Sequence, residues 1–353
     1  MTRHRVAIVG AGIGTSHLIG YIQNPSLYEV ATICDLNRAR AESLVAMVPT
    51  ARSTDSFDRV LDDPTIDVIS VATPPYTHKD LTLRALEAGK HVVVEKPVAA
   101  SPADVDLLAA AALKADRLLV PVFQYRYGRG PRQLRRLIAE GLAGPPIAAS
   151  LIVHWDRDAA YYSVPWRGKL ATELGGVVIG HVIHAHDLLT YLTEPVARVR
   201  AEVATLVHPL EVEDTAAITM RLSNGALATS AVTIGAAGNY SLYRFVYAGL
   251  TAESGSSAYA PGEDVWTFTA RDPGLQEEVD ELVRAESTPR RNGFAGMFED
   301  LGAALSGDAP PPVTIAEAHE ALSLVAAIYH SAESGTTVDL PLAPDHGAYS
   351  RTP

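Results

Sequence analysis

Lys96, His181, His184 and Asp187 are the residues of this chain whose types and spacing suit proton chemistry. Lys96 follows the valines Val92 to Val94 in the stretch His91-Val-Val-Val-Glu-Lys-Pro97. Such a run reads as a short strand covered on both faces, the pattern of a parallel sheet. Pro97 cannot continue a central strand, so the strand ends near Glu95. In open α/β sheets the ligand crevice lies at the carboxyl ends of the strands, which puts Lys96 beside whatever the sheet binds. On a helix, His181, His184 and Asp187 recur every third residue and share roughly one face. An imidazole titrates near neutral pH and suits a general base, while a lysine ammonium suits a cation that holds a developing alkoxide. These are the groups needed to take a hydroxyl proton as a hydride leaves a carbinol carbon, with Asp187 placed to orient His184. The competing readings are a strand-end lysine in solvent and two packed, hydrogen-bonded helix histidines. A metal site is not expected: the spacing differs from the i, i+4 histidine pair of the zinc helix motif, and no second ligand pair supports it.

The elements that must position Lys96 begin at the N-terminus. Arg5 to Val9 reads as a buried strand and leads into Gly10-Ala11-Gly12-Ile13-Gly14-Thr15, with Ser16 to Tyr21 helical beyond it. Strand, glycine turn and helix form the setting of a dinucleotide fingerprint: the backbone approaches a pyrophosphate and the helix N-terminus faces it. The third glycine comes early, at Gly14, with Thr15 in the sixth place. A second strand, Glu29 to Cys34, ends at Asp35, and an acid about 20 residues beyond the glycines suits a ribose hydroxyl pair. Asp35 would repel a 2′-phosphate, which favours NAD over NADP, although Arg38 is near enough to turn toward one. Asp67 to Ala72 is a further strand, followed by Thr73-Pro74-Pro75-Tyr76-Thr77-His78, where the prolines force an extended turn at the crevice side. Thr77 is placed to cap a helix over 79–88, and Ser101-Pro102 opens another that runs to about Ala115. Arg117 to Phe123 completes an alternation of strand and helix that specifies a doubly wound parallel sheet over residues 1–125.

From 126 to 353 the rhythm changes. Strand-like runs at 147–154, 197–206, 214–222, 226–234 and 243–248, with a hairpin signal at Asn224-Gly225, imply a largely antiparallel sheet with helices on one face. Between the first two of these lies a stretch that mixes indole, phenol, guanidinium and carboxylate: Trp155-Asp156-Arg157, Tyr161-Tyr162 and Trp166-Arg167. Aromatic faces pack on sugar C–H surfaces and guanidinium groups hold hydroxyls or phosphates. Trp155 and Tyr162 are therefore expected at a substrate, and Trp166 and Arg167 beside the cofactor. The same stretch also reads as a solvated loop anchored by buried aromatics. Arg126, at the domain junction, is either a substrate or cofactor contact or an interdomain ion pair.

The net charge of −12 disfavours nucleic acid and anionic membrane as partners. The single cysteine, Cys34, fits a reducing compartment, and no apolar run is long enough to span a bilayer, so a cytoplasmic protein is expected. Alternating apolar residues at 226–234 and 243–248 leave the second sheet with a face that needs a partner, which predicts a homodimer or homotetramer.

The glycine turn, Asp35, the Thr73 to His78 turn and Glu95-Lys96-Pro97 together resemble the glucose–fructose oxidoreductase/inositol dehydrogenase family, Gfo/Idh/MocA. The resemblance continues at Gly175-Gly176, at His184 to Asp187, and at the last helix. It implies an α/β chain with an N-terminal Rossmann dinucleotide-binding domain and a C-terminal α+β domain with a large, mostly antiparallel open sheet. It implies a nicotinamide cofactor held by Gly10, Gly12, Ile13, Gly14, Asp35, Arg38, Thr73, Pro74, His78, Glu95 and Lys96, with Trp166 and Arg167. It further implies a sugar, sugar-derivative or cyclitol hydroxyl as the redox centre, contacted by Lys96, Arg126, Trp155, Tyr162, His181 and His184. His184 takes the place of the family's acid/base. Gly180 stands where the family has an aspartate, and His181 lies about one turn before His184, so the choice of principal base between them stays open. Two other readings share the fold: an enzyme that retains its NAD and cleaves a glycosidic bond by transient oxidation, and a dinucleotide-binding regulator. Lys96 and His184 argue against the regulator.

Overall fold

A computed structural model describes residues 3–285 and 290–351. The chain forms two compact units. The first takes in the chain through Gln124 together with Phe294–His319, and the second runs from Tyr125 to Gly293 and from Glu320 onward.

The first unit is built on strands β1 (His4–Val9), β2 (Tyr28–Cys34), β3 (Arg52–Thr54), β4 (Val68–Val71), β5 (His91–Val94) and β6 (Leu119–Pro121). They form a six-stranded sheet in the order β3-β2-β1-β4-β5-β6. Each pair is parallel, so every connection is a crossover. The strand order reverses between β1 and β4, the switch point at which such sheets bind ligands. Strands β4 and β5 are buried at nearly every position, which is what their unbroken Val/Ile runs encode. Ser101 accepts from the Asp104 amide and Pro102 opens the helix Pro102–Ala115. The helix after β4, His78–Glu87, has no side-chain cap. The Thr77 hydroxyl, expected to supply one, instead donates to the Pro74 carbonyl at 2.8 Å.

The helix Gly293–Leu305 returns to the first unit, although it lies within the stretch 126–353. Tyr28 donates to the Phe298 carbonyl at 2.7 Å, Asn24 donates to the Ala295 carbonyl at 2.9 Å, and Tyr21 stacks on Phe298. Gly20 is required there, because a Cβ would lie 2.9 Å from the Phe298 ring.

The second unit holds β7 (Pro146–Asp156), β8 (Val196–Ala204), β9 (Thr215–Leu222), β10 (Leu227–Thr233), β11 (Gly235–Tyr247), β12 (Leu250–Glu253), β13 (Thr267–Ala270) and β14 (Val338–Asp339). Their order is β13-β12-β11-β7-β10-β9-β8-β14. The β9–β10 hairpin turns at Asn224-Gly225, with Gly225 at a φ of +91°. One pair, β7 with β10, is parallel, because β7 is inserted between the consecutive strands β10 and β11. Residues along β9 and β10 alternate between buried and exposed, so one face of the sheet is covered. The helix Ile183–Leu192 lies on that face: Tyr247 of β11 donates to the Leu192 carbonyl, and His186 meets Ser230 of β10 at 3.2 Å.

A buried polar chain ties the first unit together. His17, from the helix Gly14–Ile22, places Nδ1 2.7 Å from Ser70 Oγ on β4 and Nε2 3.1 Å from Glu95 Oε1 at the end of β5. Burial would raise the Glu95 pKa, but the His17 hydrogen bond and the charges of His17 and Lys96 hold it below the ordinary carboxylate value. A depressed carboxyl contributes stability that is present above its unfolded pKa and lost as pH falls through the folded one. His17→Leu leaves that charge buried without its partner, which should cost about 3–5 kcal/mol in urea unfolding at neutral pH. The deficit relative to the parent chain should shrink as pH falls below the ordinary glutamate range. An equal deficit at acid and neutral pH would show that the histidine acts by packing alone.

Candidate active site

One group of candidate residues lies in the first unit, at the switch-point end of the parallel sheet. Gly10 has a φ of +100°, and a Cβ there would lie 2.3 Å from the Ala72 carbonyl oxygen, so the turn closes against β4 only with glycine. Gly12 has open space where a Cβ would stand, and Gly12 and Ile13 are exposed. Gly14 packs against β1, its Cβ position 3.0 Å from Ile8. It therefore does the helix-on-strand work of the third fingerprint glycine from a position one residue early. No side chain caps the helix Gly14–Ile22. A tight turn, an open second glycine and an uncapped helix start together fit a dinucleotide pyrophosphate.

Asp35 braces this turn. Its carboxylate accepts from the Ala11 amide at 2.7 Å and from the Asn37 amide at 2.7 Å. Arg38 is exposed and pairs with Glu42 at 2.9 Å. Thr73 and Pro74 are half-buried at the next strand end. His78, expected at the cofactor, is only 1% exposed. Its ring nitrogens lie 2.8 Å from the Thr73 carbonyl and 2.7 Å from the Pro97 carbonyl, so it ties the turn after β4 to the turn after β5. Burial pushes its pKa down against these hydrogen bonds. Glu95 is likewise buried, and its Oε2 accepts from the Lys96 amide at 3.1 Å. Lys96 itself is half-buried. His78 and Glu95 thus hold the backbone around Lys96 from behind.

A second group lies in the second unit, on the turns and helix after β7. A π-helical turn, Val178–Val182, carries Gly180 and His181 and runs into the α-helix Ile183–Leu192, which carries His184 and Asp187. Such turns are rare and recur at functional sites. The glycines before it are structural: a Cβ on Gly176 would lie 1.8 Å from the Glu213 carbonyl oxygen. The Glu213 carboxylate accepts from the amides of Gly176 and Val178, each at 2.9 Å, and from the Tyr329 hydroxyl at 2.7 Å. Glu213 was missed in the sequence; a lone acid just before a strand gives no sign of a partner more than thirty residues away. Burial raises its pKa against those three bonds.

His184 is buried, its ring stacked on Tyr125 at 4.6 Å. Asp187, expected to orient His184, receives Arg126 Nε at 2.9 Å and Nη2 at 2.6 Å. That fork places Arg126 in a buried ion pair inside the second unit, with its guanidinium over Tyr191. His181 is half-buried, with Trp155 edge-on at 5.5 Å and the Tyr161 hydroxyl 3.0 Å from Nε2. Trp155 is buried and donates Nε1 to Ser241 at 3.0 Å. Tyr162 packs edge-on to Tyr161. Arg167 covers Trp166 and Tyr161 and pairs with Glu173 at 3.4 Å. The mixed aromatic stretch thus converges on Tyr161 and His181. Tyr161 was passed over in the sequence because nothing local distinguishes it from its neighbour. Among the described residues no group of three histidine, cysteine or acidic side chains is arranged to hold a metal.

Residues 4–123 match the sequence model described as "Oxidoreductase family, NAD-binding Rossmann fold", and residues 132–253 match the "GFO/IDH/MocA C-terminal domain". The chain belongs to the Gfo/Idh/MocA family, and its first unit is that family's NAD-binding domain. It is 28% identical over 232 residues to the myo-inositol 2-dehydrogenase of Thermotoga maritima, an alignment covering 63% of this chain and 66% of that one. It is 31% identical to the D-glucoside 3-dehydrogenase of Escherichia coli over 192 residues, 53% of each chain. It thus spans somewhat less than two thirds of these relatives' length. The WlbA dehydrogenase of Bordetella pertussis, solved with NADH and UDP-GlcNAcA, superposes over 97% of this chain and 100% of its own, with a TM-score of 0.85 and 28% identity.

Proposed function

We propose that this chain is an NAD-dependent oxidoreductase acting on a secondary hydroxyl of a sugar, sugar derivative or cyclitol. The observation that carries the reading is Lys96, half-buried just after β5 in the NAD-binding unit and braced by buried Glu95. Bound NAD supplies the hydride acceptor. Lys96 donates a hydrogen bond to the alkoxide as it forms, and His184 takes the hydroxyl proton, leaving a carbonyl. Glycoside cleavage and a purely regulatory role are not favoured, since the named relatives are dehydrogenases. Their names point to inositols and glucosides, and the WlbA complex points to a sugar carried on a nucleotide. NADH formation with myo-inositol, a D-glucoside and UDP-GlcNAcA is the first test; no turnover across that panel would count against the reading.

Lys96→Ala and His184→Ala should each lower kcat roughly 10²–10⁴-fold while NAD binding persists. Near-normal kcat in both would overturn the assignment.

The cofactor is assigned as NAD rather than NADP, because the acid at the end of β2 opposes a 2′-phosphate and the nearby Arg38 is already paired with Glu42. kcat/KM should be higher with NAD; the reverse order would contradict this.

The chain is further read as a cytoplasmic homodimer or homotetramer. No helix among the described residues is long and apolar enough to cross a membrane. The exposed face of the second sheet carries uncharged residues at its centre: Ala217 and Thr219 on β9, and Leu227, Thr229 and Ala231 on β10. A second copy covering that face should give a dimeric or tetrameric mass by light scattering at micromolar concentration, and a monomeric mass would count against it.

A further inference from the structure

The Tyr161–His181 contact carries an inference that rests on the dehydrogenase reading above and deepens it. Tyr161 sits in the short helix Ala159–Tyr162, where the Asp158 carboxylate accepts from its amide at 2.9 Å and fixes its backbone. Two guanidinium groups flank its ring, Arg167 at 3.8 Å and Arg157 at 4.8 Å from the centroid. Arg167 Nη1 also donates to the phenol oxygen. On the other side, that oxygen lies 3.0 Å from His181 Nε2.

A phenol oxygen that already accepts from a cation is a stronger donor and a weaker second acceptor. Two neighbouring positive charges also oppose an imidazolium or a further N–H aimed at the same oxygen. The hydroxyl proton therefore goes to His181 Nε2. We infer that Tyr161 is a positioning residue that fixes the tautomer of His181, keeping its ring proton on Nδ1. His181 is then held as the neutral Nδ1–H tautomer, and the base role falls to His184. The Tyr161 hydroxyl keeps its proton for this purpose: burial raises its pKa, Arg167 and Arg157 pull it down, Glu173 adds to the rise, and the balance stays above the ordinary tyrosine value. Trp155, edge-on to the imidazole, limits rotation of the ring away from this contact.

The test is long-range ¹H–¹⁵N spectroscopy of the full chain labelled in histidine, near neutral pH, with the His181 signals identified by their loss in His181→Asn. The parent chain should show a protonated Nδ1 and a bare Nε2 at His181, and Tyr161→Phe should move it toward the Nε2–H form that free imidazole side chains prefer. Because Tyr161→Phe keeps the ring between the two guanidiniums, its unfolding midpoint should stay near the parent's. Its kcat should fall about tenfold, with the acid limb of the kcat/KM profile moved up by roughly one pH unit. An Nε2–H tautomer in the parent chain would overturn the inference without any variant. So would a Tyr161→Phe chain whose tautomer and pH profile match the parent's. If the tautomer is as stated but the parent chain turns over no sugar or cyclitol with NAD, the dehydrogenase reading fails and the coupling stands.

Discussion

A carboxylate out of reach of water must be held by donors and cations, and Glu95 is such a group at the end of strand β5. Desolvation alone would neutralise it; the His17 ring and the Lys96 charge keep it ionised. That requirement fixes much around it. His17 must come from the helix that starts at the glycine turn, so the turn and the lysine are held by one polar chain. Ser70, on β4, fills the other nitrogen of His17, so the strand between them is locked into the same arrangement. His78 repeats the device on the outer side, bridging the carbonyls of Thr73 and Pro97. The backbone on both sides of Lys96 is thereby set before any ligand arrives, which is the condition for a cation to act without reorganising.

The second unit solves a similar problem with a different acid. Glu213 gathers two backbone amides and a phenol at the start of the π-helical turn, and Gly176 is the only residue type that lets the chain pass so close. The turn then delivers His181 to Tyr161 and His184 to Tyr125. Arg126 and Asp187 form a buried ion pair in the same unit. His186, one turn along from Val182, belongs to the core: burial brings its pKa down to about 4, which leaves it neutral against Ser230.

What the sequence made legible follows from range. The parallel sheet, five of its six strands and the glycine turn were readable because each is written in a few consecutive residues: the valines of β5, the glycines at 10, 12 and 14, the Ser101-Pro102 helix start; the three-residue edge strand β3 was not. The Asn224-Gly225 hairpin was readable for the same reason. The parallel pairing of β7 with β10 was not, because nothing in either strand names a partner some eighty residues away. The return of Gly293–Leu305 to the first unit was hidden likewise; its Phe298 and Ala295 reveal their role only beside Tyr21, Tyr28 and Asn24. In the site, residue types singled out Lys96 and the histidines, which the structure places just after β5 and on the π-helical turn and the helix that follows it. Asp187 also receives a bidentate fork from Arg126, 61 residues away in sequence, which no local pattern announces. Tyr161 and Glu213 gain meaning only from their long-range neighbours.

The central claim is direct hydride transfer from a carbinol carbon to the nicotinamide ring. It is tested most directly with the sugar or cyclitol that gives turnover, deuterated at that carbon, and mass analysis of the cofactor afterwards. The account predicts reduced nicotinamide carrying one deuterium, an equal amount of carbonyl product, and slower turnover than with the protiated substrate wherever chemistry limits the rate. Carbonyl product accompanied by reduced cofactor without deuterium, or by no reduced cofactor at all, would contradict it.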